Sequence, residues 1–226
     1  MTVDFTRPVL AIDTSTAYLS LALHAHGQIW AFHEAVGTKQ STLILPTLDA
    51  LLAQAGLARG DIAGIVYAQG PGAFTGLRIG LGVAQGLALA QNLPLIGIPC
   101  LDATASLLPQ HPCVLAATDA RMGEVFYAWF NTQTQQRLSD DMVGKAANIA
   151  VGAHQAELAQ GIGNAFALYA DVLPLTGRSD MPTAADYLRL AMSGRFAATT
   201  ADAVHLRYVR NNVAKTAAEQ AASKPA

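Results

Sequence analysis

Pro8 to Asp13 is a short apolar run ending in Asp13-Thr-Ser-Thr16, which predicts a buried strand that closes in a polar turn. Apolar residues then alternate from Leu19 to Ala25, His26-Gly27-Gln28 interrupts them, and Ile29 to Phe32 resumes the run. Strand, glycine-containing turn and strand predict a hairpin. Between Ser41 and Ala55 the period changes: Leu45, Leu48 and Leu52 recur at helical spacing, and Gly56 stands where such a helix would stop. Pro46 inside that span predicts a kink or marks the first turn. Ile62 to Ala68 reads as a strand, Gly70-Pro71-Gly72 as a turn, Phe74 to Gln91 as one long helix and Leu95 to Ile98 as a short strand. This order predicts a mixed sheet covered by helices. A second unit repeats the opening plan, with Cys113 to Thr118 and Glu124 to Phe130 as strands joined by Asp119-Ala-Arg-Met-Gly123. Further helices are predicted around 165–172 and 183–192, and the polar, alanine-rich stretch from Ala214 onward predicts a frayed tail. The expected organisation is therefore a first lobe over 1–108, a smaller second lobe over 109–213 and a tail over 214–226.

The long helix carries the most pointed pattern. Gly76, Gly80, Ala84 and Ala88 recur every four residues, and Gly82, Gly86 and Ala90 form a second small-residue stripe. Glycines inside a helix cost on the order of 1 kcal/mol each relative to alanine, a cost normally offset by close approach of another element. Between Gly76 and Ala90 only Arg78 and Gln85 are polar. A helix apolar all round is covered on both sides. A sheet covers one, and either another helix of the chain or a partner helix covers the other.

Composition favours the partner. Apolar residues make up 52% of the 226 and charged residues only 13%, about half the charge of an ordinary soluble domain. Some of the surface is then apolar, and such surface marks interaction sites. The positions expected to meet a partner are Leu45, Leu48 and Leu52 on the first helix with Gly76, Leu77, Gly80, Ala84 and Leu87 on the second.

The charge pattern argues against unaided nucleic-acid binding. Fourteen basic residues face sixteen acidic ones for a net charge of −2; Lys39, Arg59, Arg78, Arg121 and Arg137 are scattered, and Arg207, Arg210 and Lys215 form the only loose cluster. A protein that grips RNA alone presents a basic stripe. The first eight residues hold no basic stretch leading into an apolar run, and no run approaches the ~20 apolar residues of a membrane span. Cys100 and Cys113 are too few for a disulfide framework or a zinc knuckle and read as buried free thiols. A cytoplasmic protein is expected.

Candidate chemistry is sparse. Gly70-Pro-Gly-Ala-Phe-Thr-Gly76 follows a strand and opens a helix, the setting of a phosphate loop, but its spacing is one residue too long for the dinucleotide fingerprint and no Gly-Lys-Ser/Thr follows. The hydroxyls of Ser15 and Thr16, with Asp13 on a hydrated metal, could form a vestigial phosphate site, although such a run is equally a common turn. His24 and His26 share a strand face without a third ligand nearby, so a metal site is rejected. Asp119, Arg121 and Glu124 fall at a hairpin turn, where charges are ordinarily just solvated.

AIDTSTAYLSLAL, QSTLILPTLDALLAQAG, GPGAFTGLRIGLGVAQGLA, TDARMGEVFYA and RYVRNNVA together resemble the successive landmarks of the TsaB family, over about residues 10–214. The resemblance implies a two-lobed α/β architecture of the ASKHA type, related to actin and sugar kinases, with mixed sheets flanked by helices. It also implies a non-catalytic scaffold for TsaD, the transferase that builds N6-threonylcarbamoyladenosine beside the tRNA anticodon. An ATPase, TsaE, would join them; tRNA would be met only through the complex, and the subunit alone would form a homodimer. No cofactor is expected, with nucleotide or Mg confined to the interface with the partner. Three positions depart from the family pattern: Gln40 for a common His, Ala73 for a common Ser, and Leu206 where Pro often precedes Tyr208-Val-Arg. The competing readings are an ATPase or kinase using Asp13, Ser15 and Thr16, and a protease, for which no nucleophile–base pair is recognisable.

Overall fold

A computed structural model describes residues 2–152 and 158–209. The opening strand β1 (Val9–Asp13) is buried along its whole length, which is why it reads as continuous rather than alternating hydrophobicity. Its two faces feed two cores. Leu10 and Ile12 join Leu19, Leu21, Leu23, Ile65 and Tyr67 on one side, while Val9 and Ala11 join Ala22, Val66, Ile96 and Ile98 on the other. β2 (Tyr18–Ala25) and β3 (Gln28–Ala35) form the expected hairpin, turned at His26 and Gly27 with φ of 51° and 71°. Positive φ at both turn residues is the geometry that matches the twist of a two-residue hairpin. β4 (Gly64–Gly70) and β5 (Leu95–Pro99) extend the sheet in parallel, giving the order β3-β2-β1-β4-β5.

Helices α1 (Gln40–Gln54) and α2 (Phe74–Gln91) cover the first face of this sheet through Ile44, Leu48, Leu51, Leu52, Ala84 and Ala88. Each such leucine contributes roughly 1.5–3 kcal/mol by leaving water. Pro46 is tolerated within α1 on its exposed side. A short helix missed by the sequence reading, α3 (Cys100–Ala105), leads out of β5 and lies between the lobes. Cys100 and Ala103 pack towards the first sheet, and Leu101 and Ala105 towards the second.

The second sheet repeats the plan of the first. β6 (Cys113–Arg121) pairs antiparallel with β7 (Glu124–Asn131) and parallel with β10 (Ala159–Ile162). The short strands β8 (Gln136–Arg137) and β9 (Met142–Lys145) both pair with β7, and β11 (Gly177–Arg178) lies beside β10. A mixed sheet with a hairpin on one side of its central strand and parallel strands on the other thus occurs twice. The expected two-lobed α/β fold is the one observed. Helix α4 (Ala165–Leu168) is shorter than the predicted 165–172 and packs on the second sheet.

Residues late in the chain return to the first lobe. Helix α5 (Ala184–Met192), started by a Thr183/Asp186 capping box, buries Ala184, Tyr187, Leu188 and Ala191 against the second face of the first sheet. Thr199 bridges to Leu95, Gln85 Nε2 donates to Ala201 O (2.7 Å), and Arg207 N donates to Gln69 O (2.8 Å). The lobes are also tied by Arg137, whose guanidinium bridges Asp102 of α3 (2.6 Å) and Asp141 (2.7 Å). The expected tail over 214–226, with Arg210 and Lys215, lies outside the described residues.

Candidate functional site

The carboxyl ends of β1, β4, β6 and β10 converge on one cavity of about 770 Å³ between the lobes, the crevice where ligands of α/β folds commonly sit. On the first lobe it is bounded by Ser15 and Thr16 after β1 and by Gly72-Ala73-Phe74 after β4; on the second, by Asp119 and Arg121 at the end of β6 and Asn164 after β10. The expected Asp13, Ser15 and Thr16 are therefore together at this crevice, with Asp13 just beneath. Asp13 is 4% exposed, and its Oδ1 accepts the Ser15 N–H at 2.8 Å. Burial outweighs that hydrogen bond and pushes the carboxyl above the ordinary aspartate range.

Two residues that sequence reasoning undervalued organise the walls. Gln40, a departure from the family pattern, is buried, and its Nε2 donates to the carbonyls of Tyr18 (2.7 Å) and Thr16 (2.8 Å). It braces the turn after β1 from the start of α1. Asp119 was expected to be merely solvated at a hairpin turn. Its carboxylate instead accepts the Arg121 N–H (2.9 Å) and the Tyr169 hydroxyl (2.9 Å), while its own N–H donates to Asn164 Oδ1 (2.8 Å). The signal was Asp two residues before a turn residue, an arrangement that hydrogen-bonds its own backbone.

The glycine loop seats α2 onto this turn. Thr14 Oγ1 donates to Gly76 O at 2.7 Å, and a Cβ at Gly76 or Gly80 would collide with the Thr14 carbonyl or hydroxyl. This corrects the expected partner face. Gly76, Leu77, Gly80 and Ala84, with Leu48 and Leu52 of α1, are buried against the protein's own strands. Close approach is needed there, but by β1 and its turn rather than by a partner helix. The second stripe faces out: Gly82 and Gly86 are exposed, and a Cβ built on either meets nothing within 4 Å. Of the predicted set, Leu45 of α1 is 37% exposed and Leu87 of α2 is half-buried, and α2 also exposes Leu89 at 64%. An apolar, low-relief helix face is thus open to solvent.

Near the start of α2, Arg78 stacks 3.5 Å above Phe74 and donates from Nε to Tyr208 Oη (3.2 Å). Nucleophile chemistry is disfavoured at the cavity floor, where burial, with Asp13 beside it, pushes the Cys100 thiol up to about 12. His26 lies in the hairpin turn, edge-on to Trp30. No helix among the described residues is long and apolar enough to cross a membrane.

Comparison with known proteins gives a consistent set of relatives. A family model described as TsaD, tRNA N6-adenosine threonylcarbamoyltransferase, matches residues 34–224. The tRNA threonylcarbamoyladenosine biosynthesis protein TsaB of Escherichia coli K12 is 40% identical over 147 residues, 60% of this chain and 64% of that protein. Its Haemophilus influenzae counterpart is 42% identical over 123 residues, 53% of this chain and 52% of that protein. The matched stretches thus span less than two-thirds of these curated relatives. Two solved structures from Pseudomonas aeruginosa, one described as YeaZ and one as similar to peptidase YEAZ, superpose with TM-scores of 0.80 and 0.81 at 30% and 31% identity. They cover 89% and 90% of this chain and 99% and 100% of their own.

Proposed function

The chain belongs to the TsaB family, also called YeaZ, and from that premise we propose that it is a non-catalytic subunit that docks on a TsaD-like transferase and supports formation of N6-threonylcarbamoyladenosine on tRNA. The observation that carries this reading is the outward face of α2 with Leu45 of α1. Gly82 and Gly86 leave the helix backbone bare, so another helix can approach closely, and the flanking leucines supply apolar area. A face of this kind suits a helix of a protein partner better than a small substrate.

The electrostatics support an indirect encounter with tRNA. Arg59, Arg121, Arg137, Arg178, Arg189 and Arg207 each pair with an aspartate, so much of the positive charge is already neutralised. In this reading tRNA meets the complex, a TsaE-like ATPase completes it, and a second copy of the chain occupies the α1–α2 face when the transferase is absent. Threonylcarbamoyl transfer to tRNA, reconstituted from the TsaD and TsaE proteins of the same cell, tests the reading. Transfer is expected to depend on adding this chain; an equal rate without it would overturn the proposal.

A further inference from the structure

We propose that Arg78 lets the α1–α2 face distinguish a transferase from a second copy of this chain, by receiving a carboxylate that the transferase's docking helix presents. This role rests on the docking reading above and names the chemistry the partner brings. The first observation is the charge on the two helices. Among the eighteen residues of α2 only Arg78 is charged, and among the fifteen of α1 only Asp49. Asp49 is already taken, because its carboxylate accepts two hydrogen bonds from the Arg59 guanidinium at 2.6 and 2.7 Å. Arg78 has no acidic partner among the described residues. Lys39, just before α1, has the same sign, so nothing on the two helices answers Arg78.

The second observation is how Arg78 is held. Its guanidinium lies 3.5 Å above the Phe74 ring and 5.8 Å from that of Tyr208, and Nε donates to Tyr208 Oη at 3.2 Å. The two terminal nitrogens are left without an acceptor among the described residues. The end of a guanidinium meets a carboxylate through two parallel hydrogen bonds, and an arginine already fixed in place loses less freedom when it binds. Phe74 and Tyr208 are themselves 41% and 48% exposed, and arginine among aromatic rings is the composition of interface hot spots.

Position and symmetry select the partner. Arg78, Gly82 and Gly86 stand four residues apart on the exposed side of α2, so the guanidinium sits one turn from the bare backbone where another helix approaches. A helix seated there takes Arg78 out of water, and an arginine buried without a counter-charge is strongly disfavoured. In a symmetric pair of this chain the same patch meets itself and brings Arg78 no free carboxylate. A transferase helix with an acid at that point supplies one, so the single charge favours the right partner and penalises the copy. The net charge of −2 and the scattered basic residues place a protein above RNA as the source of the negative group.

The test titrates the TsaD protein of the same cell into the full chain, Arg78→Gln and Arg78→Lys by calorimetry, and follows self-association of each by sedimentation equilibrium. The parent is expected to bind the transferase, and more weakly as salt rises. Arg78→Gln is expected to bind it at least about tenfold more weakly and with a flatter salt dependence. Arg78→Lys, which keeps the charge and loses the fork, is expected to fall between them. Self-association of Arg78→Gln is expected to be no weaker than the parent's, and its melting temperature to stay within about 2 °C, as for a surface change. Parent-like transferase affinity in Arg78→Gln would overturn the proposal and leave the docking reading in place. Equal weakening of transferase binding and self-association would also overturn it, leaving Arg78 a packing residue. No binding by the parent would remove the docking reading and this role together. Unchanged transferase affinity with weaker binding of tRNA to the complex, measured by filter binding, would assign the guanidinium to RNA instead.

Discussion

Asp13 ends β1 inside the protein, and its buried carboxyl is easier to protonate than in the unfolded chain. A carboxyl with a raised folded pKa adds stability at low pH, below its unfolded value of about 3.9, and loses it as pH rises through the folded value. Asn keeps an oxygen that can accept the Ser15 N–H and carries no charge to bury. Asp13→Asn should therefore melt higher than the parent at neutral pH, with a difference that shrinks towards pH 4. Melting curves across that range check this, and a difference that grows on acidification would contradict it. The residue types at this turn were legible in the sequence; their burial was not. Asp-Thr-Ser-Thr reads as a solvated turn until Gln40, 24 residues after Thr16, is found bonded to its carbonyls. A contact of that range leaves no local trace.

At the scale of elements, α2 shows what a periodic pattern can and cannot specify. Its limits, Phe74 and Gln91, follow from the glycine loop before it and the left-handed Asn92 after it, and the sequence reading placed both. The small-residue stripes were also legible. Which stripe faced inward was not, because Gly76-Gly80-Ala84-Ala88 and Gly82-Gly86-Ala90 are both built of glycine and alanine alone, and it is the contact of Gly76 and Gly80 with Thr14 that distinguishes them. The consequence is a pair of opposite outcomes. Gly80→Leu forces a side chain into the Thr14 hydroxyl and should cost about 3 kcal/mol or more by overpacking, lowering the melting temperature by roughly 6–10 °C. Gly82→Leu with Gly86→Leu fills open space and gains helix propensity, so the melting temperature should hold or rise slightly. Equal melting losses for the two would refute the assignment of faces. Elements without period escaped altogether: α3 has six residues, and β8 and β11 two each.

The whole molecule is a plan used twice, with β6, β7 and β10 standing to each other as β1, β2 and β4 do. The echo of hairpins in the sequence hinted at this, but the parallel strands β10 and β11 are too short to announce themselves. Folding together places both central strands end-on to one cavity and leaves the α1–α2 face outside, so the cavity and that face are separate surfaces of one body. The central claim is that the outward face of α2 holds the transferase. Calorimetric titration of the TsaD protein from the same cell into the parent chain and into the Gly82→Leu, Gly86→Leu double variant tests it most directly. The parent is predicted to bind saturably, and the variant, still folded, to bind at least about tenfold more weakly, as overpacking at ~1.4 kcal/mol or more requires. Undiminished affinity in the variant, or no binding by the parent, would contradict the claim.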